Sequence, residues 1–163
     1  MINAEIHKIL FGPDEDIQSF IIEQLRKAKK NITVLAFWFT WKPIADSLIE
    51  AHQRGVNVRL VLDKRSCEVK LKDVDPVNEL VVPKYLESCG IKKEDILIYD
   101  GELMHHKTIL IDDDIVLTGT CNFFNASINR HEEVFMLMRS KKLKNVFKTR
   151  FETLLARSKG WSQ

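Results

Sequence analysis

Two apolar runs on either side of a predicted helix constrain the fold of this chain more than any other feature. ITVLAFWF, residues 32–39, is a continuous run of β-branched and aromatic residues, typical of a central strand buried on both faces. PIADSLIEAHQRG, residues 43–55, has proline near its first turn and glycine at its end, which predicts a helix. NVRLVLD, residues 57–63, predicts the next strand. A strand–helix–strand order indicates an α/β fold with parallel pairing.

The rest of the chain continues to alternate between helical and strand patterns. Helices are predicted at 14–31, 83–90, 122–130 and about 140–158, and strands at 96–100, 107–112, 114–119 and 133–139. Mixed charge and weak periodicity predict an irregular excursion over 64–82. We therefore expect a mixed, mostly parallel central sheet flanked by helices on both faces. We also expect a single domain over 1–163, with a motif core at about 8–138.

Composition excludes several classes of protein. The 163 residues carry 25 Lys+Arg against 23 Asp+Glu, so the net charge of +2 does not by itself argue for a nucleic-acid partner. Three cysteines, Cys67, Cys89 and Cys121, form no C-x-x-C pair, which favours a reducing compartment. No signal peptide and no apolar run of about 20 residues is present, so a cytoplasmic chain is predicted. The starting Met and the terminal helix favour a whole chain.

The stretch HHKTILIDDDIVLTGTCN, residues 105–122, combines polar groups with two strands. His105 and Lys107 are two apart, so they share one face of a strand, while His106 faces the other way. Thr120 and Asn122 follow the second strand across a tight turn. Each feature alone has an ordinary explanation: a solvated strand end, a hairpin turn, or a helix N-cap.

Together these residues resemble the phospholipase D superfamily signature H-x-K-(x)4-D-(x)6-G-(S/T)-x-N. Every spacing is kept, and the matching residues are His105, Lys107, Asp112, Gly119, Thr120 and Asn122. The family also places a glutamate one short helix further on, where Glu133 stands; Glu132 is the off-register alternative. The resemblance implies an α-β-α sandwich fold.

Phosphodiester chemistry explains these residue types. The charge of the diester repels anions, so a neutral imidazole is a suitable nucleophile, and amine, amide and hydroxyl donors stabilise the developing charge. The resemblance implies a phosphohistidine at His105, phosphate binding by Lys107, Thr120 and Asn122, and orientation of His105 by Glu133. Asp112 and Gly119 would be structural. No metal and no cofactor is expected.

The family brings two copies of the motif to one active site, and this chain has one. Apart from His105, no histidine has a lysine two residues on. We therefore expect a homodimer in which the two His105 side chains face each other across a two-fold axis.

The expected substrate is nucleic acid, DNA or RNA. Trp38 and Trp41 are predicted rim residues that would stack on bases, and Phe37 and Phe39 could serve either stacking or core packing. Lys64 and Arg65, with Lys70 and Lys72, would form a basic lip along a phosphate backbone. The zinc insert of the mitochondrial members is missing, and no obligatory membrane contact is expected. A lipid phosphodiesterase or phosphatidyl transferase, and a catalytically silent nucleic-acid-binding module, remain alternatives.

Overall fold

An eight-stranded sheet forms the centre of the protein. The computed structural model describes residues 1–68, 78 and 80–162. The strands are β1 (Glu5–Gly12), β2 (Asn31–Ala36), β3 (Asn57–Asp63), β4 (Ile96–Tyr99), β5 (Lys107–Ile111), β6 (Ile115–Gly119), β7 (Glu133–Arg139) and β8 (Ser158–Gly160). The helices are α1 (Ile17–Lys27), α2 (Lys42–Gln53), α3 (Val82–Ser88), α4 (Asn125–Asn129) and α5 (Lys141–Leu155).

The pairing of the strands differs from the sequence-based prediction. The order is β1-β7-β6-β5-β2-β3-β4-β8. The predicted α/β class with helices on both faces is confirmed, but the prediction of a mostly parallel sheet is wrong. Within the described residues, the parallel pairs are β2–β3 and β3–β4, and the other five neighbours pair antiparallel. The reason is that β5 and β6 form a hairpin, β7 follows after one short helix, and none of the three has the crossover that parallel pairing requires.

Alternating side chains of the central strands build a core on each face of the sheet. In β2, Val34 packs into the cluster beneath α1 and α2, while its neighbour Leu35 packs into a second cluster with Phe151 and Leu154 of α5. Both faces of β2 are therefore apolar, which is why this segment reads as a continuous hydrophobic run.

The two edge strands were not predicted from the sequence. β1 pairs with β7, from Glu5 opposite Arg139 to Gly12 opposite Glu133, and most of its residues are exposed. β8 has three residues and pairs with β4. Short or solvated edge strands lack the apolar periodicity on which strand prediction depends. Of the predicted excursion over 64–82, residues Lys64–Ser66 form one 3₁₀ turn and α3 begins at Val82. Residues 69–77 and 79 lie outside the described residues.

Gly119 ends β6 and lies close to the backbone of β7. A Cβ atom at this position would lie 2.0 Å from the carbonyl oxygen of Val134 and 2.8 Å from the Cα atom of Phe135. Both contacts are with backbone, which cannot rotate away as a flexible side chain can. Only glycine therefore fits here without separating the two strands.

We predict that Gly119→Ala lowers the free energy of unfolding by roughly 1–3 kcal/mol, as overpacking does in well-packed cores. Gly160→Ala is the matched control, because the nearest atom to a new Cβ there is the Lys93 carbonyl oxygen at an ordinary 3.5 Å. The control should change stability by less than about 0.5 kcal/mol. Urea denaturation of the two variants measures the difference, and equal midpoints would contradict the prediction.

Candidate active site

The polar residues of the motif lie together at one end of the inner strands. β5 and β6 run antiparallel, and so do β6 and β7, so the start of β5, the end of β6 and the start of β7 lie together. His105 precedes β5, Asn122 follows β6, and Glu133 begins β7. The end of β2 reaches the same edge, since Ala36 pairs with Lys107.

His105 and Lys107 share an aromatic neighbour. The Phe37 ring centroid lies 4.6 Å from that of the His105 imidazole, and the Lys107 Nζ atom lies 5.1 Å from the Phe37 centroid. Lys107 Nζ also donates a 3.1 Å hydrogen bond to the carbonyl oxygen of His105. His105 is exposed, whereas Lys107 is 7% exposed. Burial lowers the pKa of the Lys107 ammonium, and the Glu133 carboxylate opposes that shift. An exposed imidazole therefore stands beside a desolvated cation.

Glu133 is the centre of a hydroxyl network. Thr120 Oγ1 donates to one Glu133 oxygen, and Ser127 Oγ donates to the other at 2.5 Å. Ser127 Oγ accepts the Asn122 backbone N–H at 2.8 Å, and Thr120 Oγ1 accepts the Val134 N–H at 3.0 Å. The carboxylate thus holds the turn that carries Thr120 and Asn122. In the described part of a single subunit, no hydrogen bond joins Glu133 to His105. Glu132, the off-register alternative, is exposed.

The Asn122 side chain is left available within this network. Its Oδ1 atom is buried without a hydrogen-bond partner among the described residues. A buried acceptor without a partner is unusual outside sites that bind a ligand. Asn122 therefore brings an unused acceptor to the end of the strands where His105 and Lys107 lie.

Ser127 was missed in the sequence analysis. It lies five residues after Asn122, on α4, and is fully buried. Its position inside a short predicted helix gave no indication that its hydroxyl would connect Asn122 to Glu133. Its spacing from Asn122 indicates a position near the turn, but the spacing does not indicate which groups the hydroxyl would bind.

Asp112 lies at the opposite end of β5 from His105. Its backbone has a positive φ of 51°, which turns the chain into β6 through a three-residue loop rather than the predicted tight Asp113-Asp114 turn. The Asp112 carboxylate accepts the backbone N–H groups of Lys29, Lys30 and Asn31, the closest at 2.8 Å. It therefore ties the β5–β6 hairpin to the connection between α1 and β2.

The predicted aromatic rim is only partly at the surface. Trp41 is 5% exposed, and its Nε1 atom donates to Gln18 Oε1 at 2.5 Å, so the prediction of a rim position is wrong for this residue. Its side chain is part of the core because α2 starts beside it and packs it inward. Phe39 is fully buried against Phe123. Trp38 is partly exposed.

A strip of ring contacts continues from Phe37 through Trp38. The rings lie 6.0 Å apart, and Trp38 then meets Phe124 at 6.3 Å, which in turn meets His131 at 5.9 Å. Four side chains in edge-to-face contact thus extend away from His105. Phe124 and His131 had not been predicted as part of any surface.

The predicted basic lip is ion-paired. Lys64 Nζ lies 2.6 Å from Asp100 Oδ1, and Arg65 Nη1 lies 2.9 Å from Asp63 Oδ1. Asp63 is fully buried, so Arg65 is held at the sheet edge rather than free to follow a phosphate backbone. Lys70 and Lys72 lie outside the described residues.

Among residues 1–68, 78 and 80–162, no three histidine, cysteine or acidic side chains converge in a way that could hold a metal ion. Over the same residues, no helix is long and apolar enough to cross a membrane.

Fold and site together define an α/β protein with histidine, lysine and asparagine at one edge of a mixed sheet. Residues 21–155 match the family model described as cardiolipin synthase, PLD-like domain. The chain therefore belongs to the phospholipase D superfamily through this domain.

Relatives and solved structures agree with this assignment. Phospholipase D of Rickettsia prowazekii is 27% identical over 133 residues, which cover 82% of this chain and 60% of the relative. Minor cardiolipin synthase ClsB of Bacillus subtilis is 29% identical over 129 residues, which cover 78% of this chain and 31% of the relative. The chain thus spans less than two thirds of the length of these relatives.

Two solved structures have the same fold over nearly the whole chain. Nuc from Salmonella typhimurium, a phospholipase D family member, superposes with a TM-score of 0.82 at 21% identity and covers 99% of this chain and 100% of its own. NucT from Helicobacter pylori has a TM-score of 0.77 at 17% identity, covering 98% of this chain and 100% of its own.

We predict that Asp112→Ala lowers the free energy of unfolding by roughly 1–3 kcal/mol, because three backbone N–H groups lose a charged acceptor. Asp113→Ala is the control, since the Asp113 side chain forms an exposed ion pair with Lys30 and its loss should have a much smaller effect. Thermal and urea unfolding measure both. A similar loss in the two variants would show that the backbone contacts of Asp112 contribute little.

Proposed function

We propose that the protein is a phosphodiesterase whose nucleophile is His105. The observation that carries this proposal is the exposed His105 imidazole beside the buried Lys107 ammonium, with the Asn122 side chain at the same end of the strands. Catalysis of diester cleavage needs a nucleophile together with donors aimed at the charge that builds on the phosphoryl oxygens. These three groups supply that combination at one edge of the sheet.

The proposed reaction has two steps. A neutral His105 nitrogen attacks phosphorus, and the bond from phosphorus to the leaving oxygen breaks as a second imidazole gives that oxygen a proton. Water then attacks the phosphohistidine, the second imidazole takes the proton from water, and the phosphorus–nitrogen bond breaks. The Lys107 ammonium and the side-chain Nδ2 group of Asn122 donate hydrogen bonds to the phosphoryl oxygens. Glu133 holds the turn of Thr120 and Asn122 in position through its two hydroxyl contacts.

The second imidazole comes from another copy of the chain in this proposal. The sequence contains one His-x-Lys pair, and the exposure of His105 leaves its ring accessible to a partner. A two-fold axis beside His105 would bring two identical imidazoles to one phosphate, which is the isologous arrangement favoured in homodimers.

Nucleic acid is the substrate class that we propose first. The strip formed by Phe37, Trp38, Phe124 and His131 begins at His105 and offers aromatic surface to unpaired bases. Among proteins of the same fold, TrmBL2 is described as an archaeal chromatin protein that binds DNA; its TM-score is 0.64 at 16% identity.

Phospholipid is the second candidate. The relatives named phospholipase D and cardiolipin synthase favour it. The same diester chemistry would serve either substrate, so a direct comparison of substrates must decide between them.

We predict that the purified protein cleaves single-stranded DNA or RNA in the presence of EDTA, and that His105→Ala lowers the rate at least about 10³-fold through loss of the nucleophile. His106→Gln is the matched control, because this neighbouring imidazole is half-buried and lies outside the signature. It should retain more than about a tenth of the wild-type rate.

Duplex DNA and phosphatidylcholine vesicles complete the substrate panel. Cleavage of vesicle lipid without cleavage of nucleic acid would show that phospholipid is the substrate instead of nucleic acid. Activity that needs Mg²⁺, or that survives His105→Ala, would exclude the phosphohistidine mechanism for both.

We predict that His105→Ala subunits inactivate wild-type subunits when the two are mixed and refolded together. If each site needs both imidazoles, the remaining activity follows the square of the wild-type fraction. An equal mixture then keeps about a quarter of the activity of the same total amount of wild-type protein. An activity proportional to the wild-type fraction, or a monomer in light scattering, would contradict the shared site.

A further inference from the structure

We propose that the corner after β3, made by Asp63, Arg65 and Ser66, is a positioning bracket for His105. It holds both the backbone that leads into His105 and the Phe37 ring that packs on the imidazole. The inference rests on the proposed function of His105, and it assigns a role to residues that lie outside the signature.

Asp63 forms the first arm of the bracket. Its Oδ2 atom accepts the backbone N–H of Met104 at 2.8 Å, and this bond fixes the residue directly before His105. The carboxylate also accepts the Arg65 backbone N–H at 3.0 Å and the Arg65 guanidinium at 2.9 Å and 3.2 Å. Asp63 is fully buried and Met104 is 2% exposed, so these bonds form away from solvent. A charge buried in this way needs well-placed partners, which makes its geometry specific.

Arg65 extends the same arm by one more contact. Its Nη2 atom donates to the carbonyl oxygen of Glu102 at 2.6 Å. The Asp63–Arg65 pair therefore binds one backbone donor and one backbone acceptor of the segment 102–104. Glu102 and Leu103 are themselves exposed, so the ion pair supplies the order that burial does not.

Ser66 forms the second arm. Its hydroxyl donates to the Phe37 carbonyl oxygen at 2.6 Å and accepts the Phe39 N–H at 3.2 Å. Phe37 lies beyond the end of β2, where pairing with β5 continues only through its N–H bond to the His106 carbonyl oxygen. Ser66 thus fixes the residue whose ring packs against His105 at 4.6 Å.

Both arms matter because the His105 side chain has little else to hold it. The imidazole is exposed, and among the described residues its side chain packs against the Phe37 ring. Its position therefore depends on the backbone at Met104 and on Phe37, which are the two groups that the corner binds. A displacement of about 1 Å at a nucleophile can lower the rate about 100-fold.

Asp63→Asn tests the bracket. Asparagine keeps the size of the side chain and an acceptor, but it loses the ion pair with Arg65. We expect kcat to fall roughly 10- to 100-fold while KM changes less than about threefold, because the nucleophile is displaced and the phosphate-binding groups remain. The matched control is Asp114→Asn, which breaks another Asp–Arg pair, with Arg139 at 3.0 Å at the far end of the β5–β6 hairpin. The control should leave kcat unchanged.

A second readout does not depend on activity. The His105 ring-proton resonances, assigned by their loss in His105→Ala, should move in Asp63→Asn and Ser66→Ala and stay in place in Asp114→Asn. Arg65→Lys keeps the charge but removes the donor to Glu102, so it should give an intermediate loss of kcat. If Asp63→Asn does not fold, Arg65→Lys and Ser66→Ala decide the question in the same two measurements.

The outcomes separate this inference from the proposed function. A wild-type protein without phosphodiesterase activity would refute the proposed function, and the His105 resonances would still decide on the bracket. An active wild-type protein whose kcat and His105 resonances are the same after these substitutions would overturn the bracket alone.

Discussion

The antiparallel pairing of β5 with β2 is the constraint on which the rest of the site depends. It places Lys107 opposite Ala36, so the start of β5 meets the end of β2. Phe37, the next residue, is then brought against both His105 and Lys107. A parallel β5 would carry its first residues to the other edge of the sheet and separate the imidazole from this ring. The mixed topology is therefore a requirement of the site as well as of the fold.

The site also requires a cation and a carboxylate to lose much of their hydration. Burial disfavours the charged form of Lys107, and Glu133 offsets part of this cost by attraction. The Glu133 oxygens are in turn satisfied by Thr120 and Ser127, so the charge does not stand unbonded in the partly buried turn. The two hydroxyls therefore help to hold a charged site together. For Thr120, the resemblance to the signature had implied phosphate binding instead.

The sequence predicted which residues of the motif meet better than it predicted the direction of the strands. Strand periodicity correctly placed β5 and β6 and put His105 and Lys107 together, because these strands have strong apolar patterns. The mostly parallel sheet was wrong because periodicity reports burial but not direction, and only chain connections reveal that β5 enters reversed. Trp41 was misplaced for a related reason: an aromatic residue after a strand can lie at a rim or under the next helix. The ion pairs of Lys64 and Arg65 join residues far apart in the chain, and no local pattern indicates them.

The residues of the signature meet two different physical requirements. His105, Lys107 and Asn122 carry the proposed chemistry, whereas Asp112 and Gly119 meet demands of the backbone. Asp112 adopts a positive φ and binds the N–H groups of the α1–β2 connection, and Gly119 lets β6 approach β7 without a side chain. These two residues fix the length and direction of the hairpin between Lys107 and Asn122. A change in either would displace Asn122 relative to His105 and Lys107 without removing any of the three. The fixed distances in the signature therefore follow from the hairpin as much as from the reaction.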